Sequence, residues 1–555
     1  MLFRSFLLNR ILGIVGRLTT LAMVMLFTIS LVAQQPAPDP APAPAPAPAP
    51  DPAPAPAVFK KIDVAPIFDA NTEAVLADKR LQSNIRRNVS FAKAQVYDVL
   101  RGGSGLSDNF VIAEGTPDEN TITNQQLLSG WYQNYHFALM TQAGSMGDID
   151  LQRLEFIKEL TMICTDNDIH SHVVDQIAIP QMTAFLQENY HPAVKYNAML
   201  IIGQLNSQVV ITNEGRTVPV PLPAALTFMV DAIESGTETD AILLASWIGV
   251  LRHVRLNRLN QQIAVSDVVT IAGEAMKLLN QTTPANRSAG GQVWLQRRAI
   301  DVLAMIGQDD QKILPKILSI MQDDKAAMSL RLTAARALKY FNYSPSTQVP
   351  VESTSNALGT LIVRICRNEI DRVDQEKALT ALQEASGVSV GEGDMGGMGG
   401  AMGGMGGDMG GMGGMGMGGS TDVKSMLKPK EKRQVDYTRR ILVYQLFHVY
   451  EAIGEKQIRT TAPIGMYAAV VQDAAGQVAL DRLGDAMTAL IDILRIPEPD
   501  DSGKPVAEPN RDTLLESIAA EIRKLESFVI PGETPPETVT ADAPAASVPS
   551  ALPGS

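Results

Sequence analysis

The chain has 555 residues, a formal net charge of −13 and a pI near 5.1, so as a whole it repels nucleic-acid backbones and anionic lipid surfaces. Aromatic residues make up 5% of it against 45% apolar residues, which argues against the aromatic and β-branched strands of a sandwich or barrel and predicts an all-α fold. Two cysteines, Cys164 and Cys366, exclude a disulfide framework; each lies in an apolar helical context and reads as a buried free thiol, ahead of a single bridge between them.

Residues 1–33 carry Arg4, Arg10 and Arg17 ahead of an apolar run from Leu18 to Ala33. That pattern is a signal peptide or a signal anchor, and it places the rest of the chain outside the cytoplasm, in a periplasm or cell envelope. Residues 34–57 form a Pro-Ala spacer. Proline at every second position from Pro36 to Pro56 removes half the amide donors and disfavours the α-region for its neighbours, so a polyproline II rod is expected, about 65 Å long at roughly 3.1 Å per residue. If residues 18–33 stay in the inner membrane, this rod is a stand-off. Over residues 1–57 the arrangement is also similar to that of TonB-type tethers, without that family's compact C-terminal domain.

Residues 58–120 read as an irregular lead-in. From 121 to 389 apolar residues recur with helical period, and one frame repeats: Val194, Ala198, Ile202 and Leu205; then Leu295, Ala299, Leu303 and Ile306; then Leu330, Ala334, Leu338 and Phe341. Alanine holds the second slot each time, which suits close helix approach. An upstream partner with an early proline precedes two of the copies, Ile177 to Leu186 with Pro180 and Ile313 to Met321 with Pro315. Leu314-Pro315, Met321-Gln-Asp323, Leu330-Arg331 and Ala334-Ala335 to Leu338 together resemble one repeat of the HEAT/armadillo type, and His191-Pro192 to Gly203 resembles the second helix of another. The resemblance implies an α-solenoid of stacked helical hairpins, and no particular activity. Looser hairpins are expected at 222–233 with 239–254, at 263–279 with 291–306, and at 357–370 with 373–385. Single helices are expected at 125–141 and 151–164.

Residues 390–421 are nearly pure Gly and Met and read as a disordered linker, residues 422–530 as C-terminal helices (433–453, 465–495 and 511–528), and residues 531–555 as a disordered tail. Whether the C-terminal helices extend the array is left open by periodicity.

Candidate chemistry is sparse. Asp166, Asp168, His170, His172 and Asp175 include metal-ligand types, but residues two apart on a helix point about 200° away from each other, so Asp166 or Asp168 reads first as a helix cap. The methionines from Met395 to Met417 are soft ligands that suit Cu(I), yet they stand in linker composition without His or Cys. Arg297, Arg298, Arg331, Arg336, Arg364 and Arg367 suggest an anion-binding ridge, weighed against pairing with acids such as Asp301, Asp323 and Glu369. Lys424 to Arg440 is a local basic cluster, read as solvated helix turns ahead of a polyanion site. There is no Gly-x-Ser-x-Gly, His-Glu-x-x-His, P-loop or CxxC, and no GxGxxG placed after a strand.

The resulting expectation is an exported helical-repeat scaffold that binds an unknown protein partner in a bacterial cell envelope. No catalytic, cofactor-binding or metal residue is assigned, and neither nucleic acid nor a small-molecule substrate is inferred. The alternative is a copper-handling or metal-dependent envelope protein using the Met-rich run or the Asp/His segment.

Overall fold

The structure, a computed structural model, describes residues 58–69, 73–111, 121–210, 212–213, 216–307, 312–343, 349–385, 429–456, 463–497 and 508–529. Residues 1–57, where an export signal and the Pro-Ala spacer are expected, the Gly-Met run and the tail lie outside these. By its contacts the chain divides into Met1–Val58 and Phe59–Ser555, and every element below belongs to the second unit.

The all-α expectation holds: of the described residues 75% are helical and 2% strand. The stretch read as an irregular lead-in departs from it: after the short α1 (Glu73–Ala77), α2 (Lys79–Leu100) is a 22-residue helix. Asp78 caps it by accepting from the Arg80 amide, and it buries Ile85, Ala92, Val96 and Val99 at helical spacing. Its polar first half hid that stripe in the sequence. A small antiparallel hairpin follows, β1 (Asn109–Val111) against β2 (Thr121–Thr123), with Phe110 opposite Ile122.

The next three helices each contain a widened π turn. Helix α3 (124–140) starts at a capping box between Thr123 and Gln126, and its π turn is Tyr132–His136. Helix α4 (149–163) ends in the π turn Glu159–Ile163. Helix α5 (167–187) is capped by Asp166 and contains the π turn His172–Ala178. The last of these sits directly before Pro180, which has no amide proton to continue the ladder, and Ile179 donates five residues back to Val174 instead.

From there the helices are regular: α6 (Pro192–Ile202), α7 (Pro223–Ser235), α8 (Asp240–Asn260), α9 (Val265–Asn280), α10 (Ala289–Ile306), α11 (Ile313–Gln322) and α12 (Met328–Ala337). The minimal hairpin β3 (Thr212–Asn213) and β4 (Arg216–Thr217) separates α6 from α7. Gly236 and Gly307, at φ 63° and 64°, end α7 and α10 in the left-handed conformation that only glycine adopts without strain. One correction concerns α13 (Val351–Ala385): it is a single 35-residue helix, where a hairpin broken near 371 was expected. The polar cluster taken for a turn is instead a string of helical ion pairs, Arg372 to Glu369 and Glu376 and Arg367 to Glu526 on another helix, with no glycine or proline to break it. The expected helix 465–495 is likewise two pieces, α15 (Met466–Ala469) and α16 (Ala474–Leu494), divided where Asp473 caps α16. Helices α14 (Pro429–Ile453) and α17 (Arg511–Val529) match expectation.

Packing follows a simple order. Each even-numbered helix lies on the next: α4 on α6, then α8, α10, α12, α14 and α16. Each odd-numbered helix from α5 to α13 packs on its even successor, and α17 packs on α13, α14 and α16. The repeated frame faces inward, with Ala198, Ala299 and Ala334 fully buried in the even helices. Where α6 meets α8, a Cβ on Gly249 would overlap the Met229 sulfur and approach the Gly203 Cα to 2.9 Å, so the two backbones touch.

Two apolar cores result. One gathers side chains from Phe68 to Ala225, and the other runs from Met199 to Leu525, so the C-terminal helices share the second core. Leu186 and Phe228 pack against both.

Candidate functional site

Four consecutive even-numbered helices carry a positive charge that the odd ones beside them do not. Helices α6, α8, α10 and α12 hold Lys195, Arg252, Arg255, Arg258, Arg297, Arg298, Arg331 and Arg336 against only Asp240 and Asp301. Helices α5, α7, α9 and α11 hold six acids against Lys277 and Lys316. In an acidic chain this segregation concentrates positive potential along one row of helices.

Part of that charge is structural. The Arg252 guanidinium donates to the carbonyls of Gly203 and Leu205 and to Asn206, tying down the loop after α6, and burial pulls it down to about 10. Arg331, 2% exposed in its side chain, donates to the Met321 carbonyl and pairs with Asp324 at 3.0 Å. Arg364 shares Asp324, and Arg367 bonds Glu526 at 2.6 Å. These three of the six predicted ridge arginines therefore hold helices together.

The other three converge. Arg298 and Arg336 each bind one oxygen of Asp301, Arg298 at 2.9 Å. Arg297 donates to the Thr333 hydroxyl on α12 at 3.1 Å and lies over the Trp294 ring at 5.4 Å. Arg255 on α8 is exposed and close enough to repel Arg298. Desolvation, with repulsion from Arg297, Arg336 and Arg255, holds Arg298 below the usual arginine range despite the attraction of Asp301. Arg336 moves the other way: against the desolvation that lowers it, attraction and hydrogen bonding by Asp301 hold it above that range. Two guanidinium groups thus share the Asp301 carboxylate, two more lie close to Arg298, and among the described residues neither Arg255 nor Arg297 has an acid partner.

Helix α14 completes this surface. His448, 6% exposed, is kept neutral by burial, which pulls it down to about 4 with help from Arg336 and Arg297; its Nδ1 has no hydrogen-bond partner. The Tyr444 ring, 60% exposed, meets the His448 imidazole edge-on at 5.1 Å. Tyr437, Tyr444 and Phe447 follow at helical spacing, all exposed. Trp294 on α10 is 47% exposed. Exposed aromatics beside arginines are the residue types enriched at the energetic centres of protein interfaces. The arginines were legible in the sequence; the aromatic stripe was missed, although Tyr437, Tyr444 and Phe447 lie seven and three residues apart and so share one helix face.

The remaining candidates resolve differently. Asp166 is a cap, accepting from the amides of Asp168 and Ile169, and no group of three or more metal-ligand side chains assembles among the described residues. Cys164 and Cys366 are buried free thiols, pushed by burial up to about 11 and about 12. In the basic stretch Lys432 and Arg439 bind Glu508, and Arg440 donates to the Asp436 carbonyl. The methionine run lies outside the described residues.

A second polar centre was not anticipated. Glu159, at the start of the α4 π turn and 1% exposed, accepts from the Tyr132 hydroxyl at 3.0 Å, and its other oxygen has no partner. Desolvation pushes this carboxyl up to about 7. The nearby ammonium of Lys93 is engaged by Glu155. Compared with protein families, with curated proteins and with solved structures, the chain matches none.

Proposed function

We propose that this protein is an exported, HEAT-like α-solenoid that serves as a protein-interaction scaffold in a bacterial cell envelope. The observation that carries the reading is the unbroken row of even-numbered helices from α4 to α16, whose exposed side bears arginines and aromatics instead of a catalytic constellation. Hairpins stacked in this way bury a shared core and leave a long surface for many small contacts. The alanine frame, buried at equivalent positions in α6, α10 and α12, supports the repeat assignment. Export rests on the charged and apolar residues of 1–33, and the proline spacer would hold the scaffold off a membrane if that segment is retained.

Two measurements test this. The N-terminal residue of the mature protein and its partition between membrane and soluble envelope fractions check export and anchoring; recovery in the cytoplasm with Met1 intact rejects both. Photo-crosslinking in living cells, with the reactive side chain placed at position 444 or 294, should give discrete adducts with another protein. Absence of any adduct at either position rejects the scaffold.

A further inference from the structure

The surface on α8, α10, α12 and α14 has a composition specific enough to name its partner's chemistry. Its positive groups outnumber the acid they surround, and Arg298 is already crowded by like charges. An added carboxylate near Arg255 and Arg297 would relieve that repulsion, since opposite charges at short range favour the ionised forms of both. The two groups are suited to this: Arg255 is exposed, and Arg297 spans from Trp294 on α10 to Thr333 on α12. The Trp294 ring lies under Arg297, and the exposed Tyr444 ring meets His448, which Arg297 and Arg336 also face, so apolar contact is offered beside those charges.

Resting on the scaffold reading, we infer that this strip docks an extended acidic segment of a partner protein, with carboxylates against Arg255 and Arg297 and apolar side chains against Trp294 and Tyr444. A linear polyanion fits the same charge less well. It would leave the aromatics without apolar partners. The strip also crosses four successive helices, a geometry that an extended chain follows more easily than a small compact ligand.

The experiment uses the full mature chain and a fluorescein-labelled peptide of repeating Glu-Glu-Phe, read by fluorescence anisotropy. Binding should weaken steeply with added salt, fall at least tenfold in Arg255→Glu and again in Tyr444→Ala, and vanish for the Lys-Lys-Phe counterpart. Both substituted side chains are themselves exposed, so both variants should fold, which a melting curve verifies, and a reversed-charge partner for Arg255→Glu gives a second check: the Lys-Lys-Phe peptide should gain affinity for it. Equal affinity of wild type and Arg255→Glu overturns the inference. So does inorganic polyphosphate binding more tightly than the peptide with no loss in Tyr444→Ala, which would make the strip a polyanion site. Absent peptide binding while position 444 still crosslinks to a defined protein rejects the acidic segment and leaves the scaffold standing. Loss of both signals rejects both.

Discussion

The described residues within 58–210 and those within 216–529 are both mostly helical, yet they treat buried charge in opposite ways. In the second region the buried charges are paired: Asp301 with Arg298 and Arg336, Arg331 with Asp324, Glu369 with Arg372. In the first, Glu159 is buried against a neutral tyrosine while the nearest ammonium is taken by Glu155. The three π turns all fall in the first region, where such turns shift side chains out of helical register. A regular stack can place acid opposite base on successive helices, because its geometry repeats. In the irregular region a carboxyl is left unpaired because the cation beside it, Lys93, is taken by Glu155.

The sharpest test of this division is whether the two cores unfold independently. Phe156→Ala, at a fully buried side chain of the first core, should cost about 3–5 kcal/mol. Hydrogen exchange should then show lost protection in α2 to α5 with α13, α14 and α17 still protected; uniform loss would merge the regions and end the comparison.

Next in size is the pH dependence. Glu159 has a folded pKa of about 7 against 4.5 for the free group, so the native state holds its proton longer than the unfolded state. Its contribution is complete below pH 4.5 and lost as pH rises to 7, a swing of up to about 3 kcal/mol. Glu159→Gln should therefore gain stability relative to wild type between pH 4.5 and pH 8 in denaturant titrations, and a constant difference would show that the carboxyl titrates normally. His136 and His170 in the same region, lowered by burial, act with the opposite sign, so the difference between variants is the readable quantity. In the second region His448 and His253, pulled down to about 4 and about 3, lose their contribution as pH falls below 6.5. His448→Asn should flatten that acid limb.

Smaller effects separate packing from local capping. Ala334→Phe should cost about 1–3 kcal/mol by overpacking the even row. Asp166→Ala should cost about 1 kcal/mol through the lost cap of α5. The smallest change is expected at the arginine strip, where Arg255→Ala should leave the melting curve within about 0.5 kcal/mol of wild type. A larger loss there would mean that Arg255 holds the stack together, as Arg331 does.

Much of the fold was legible because it is local. Alanine at one slot of three helices, early prolines at 192 and 315, and Asp166 before a helix start all act within a turn or two of their own position, whereas Pro180, expected early in a helix from Ile177, lies well inside α5. The failures share a cause as well. The long α13 was read as a hairpin with its break at Asp371-Arg372, where the acids and bases instead pair along and between helices. Helix α2 was missed because its apolar stripe is thin and completed by partners distant in sequence. The candidate surface was half legible: its arginines stood out, but their separation into structural and unpaired groups depended on where Asp301, Asp324 and Glu526 lie in space.

The sequence by itself determined the helical class and the charge carried by each helix, since both follow from backbone propensity and residue identity within short windows. Only the tertiary structure decided which arginines are neutralised, that Glu159 is stranded without a cation, and that Gly203 and Gly249 meet. Those outcomes are set by distances of a few ångströms between residues far apart in the chain, and both Coulomb interaction and steric overlap change steeply over such distances.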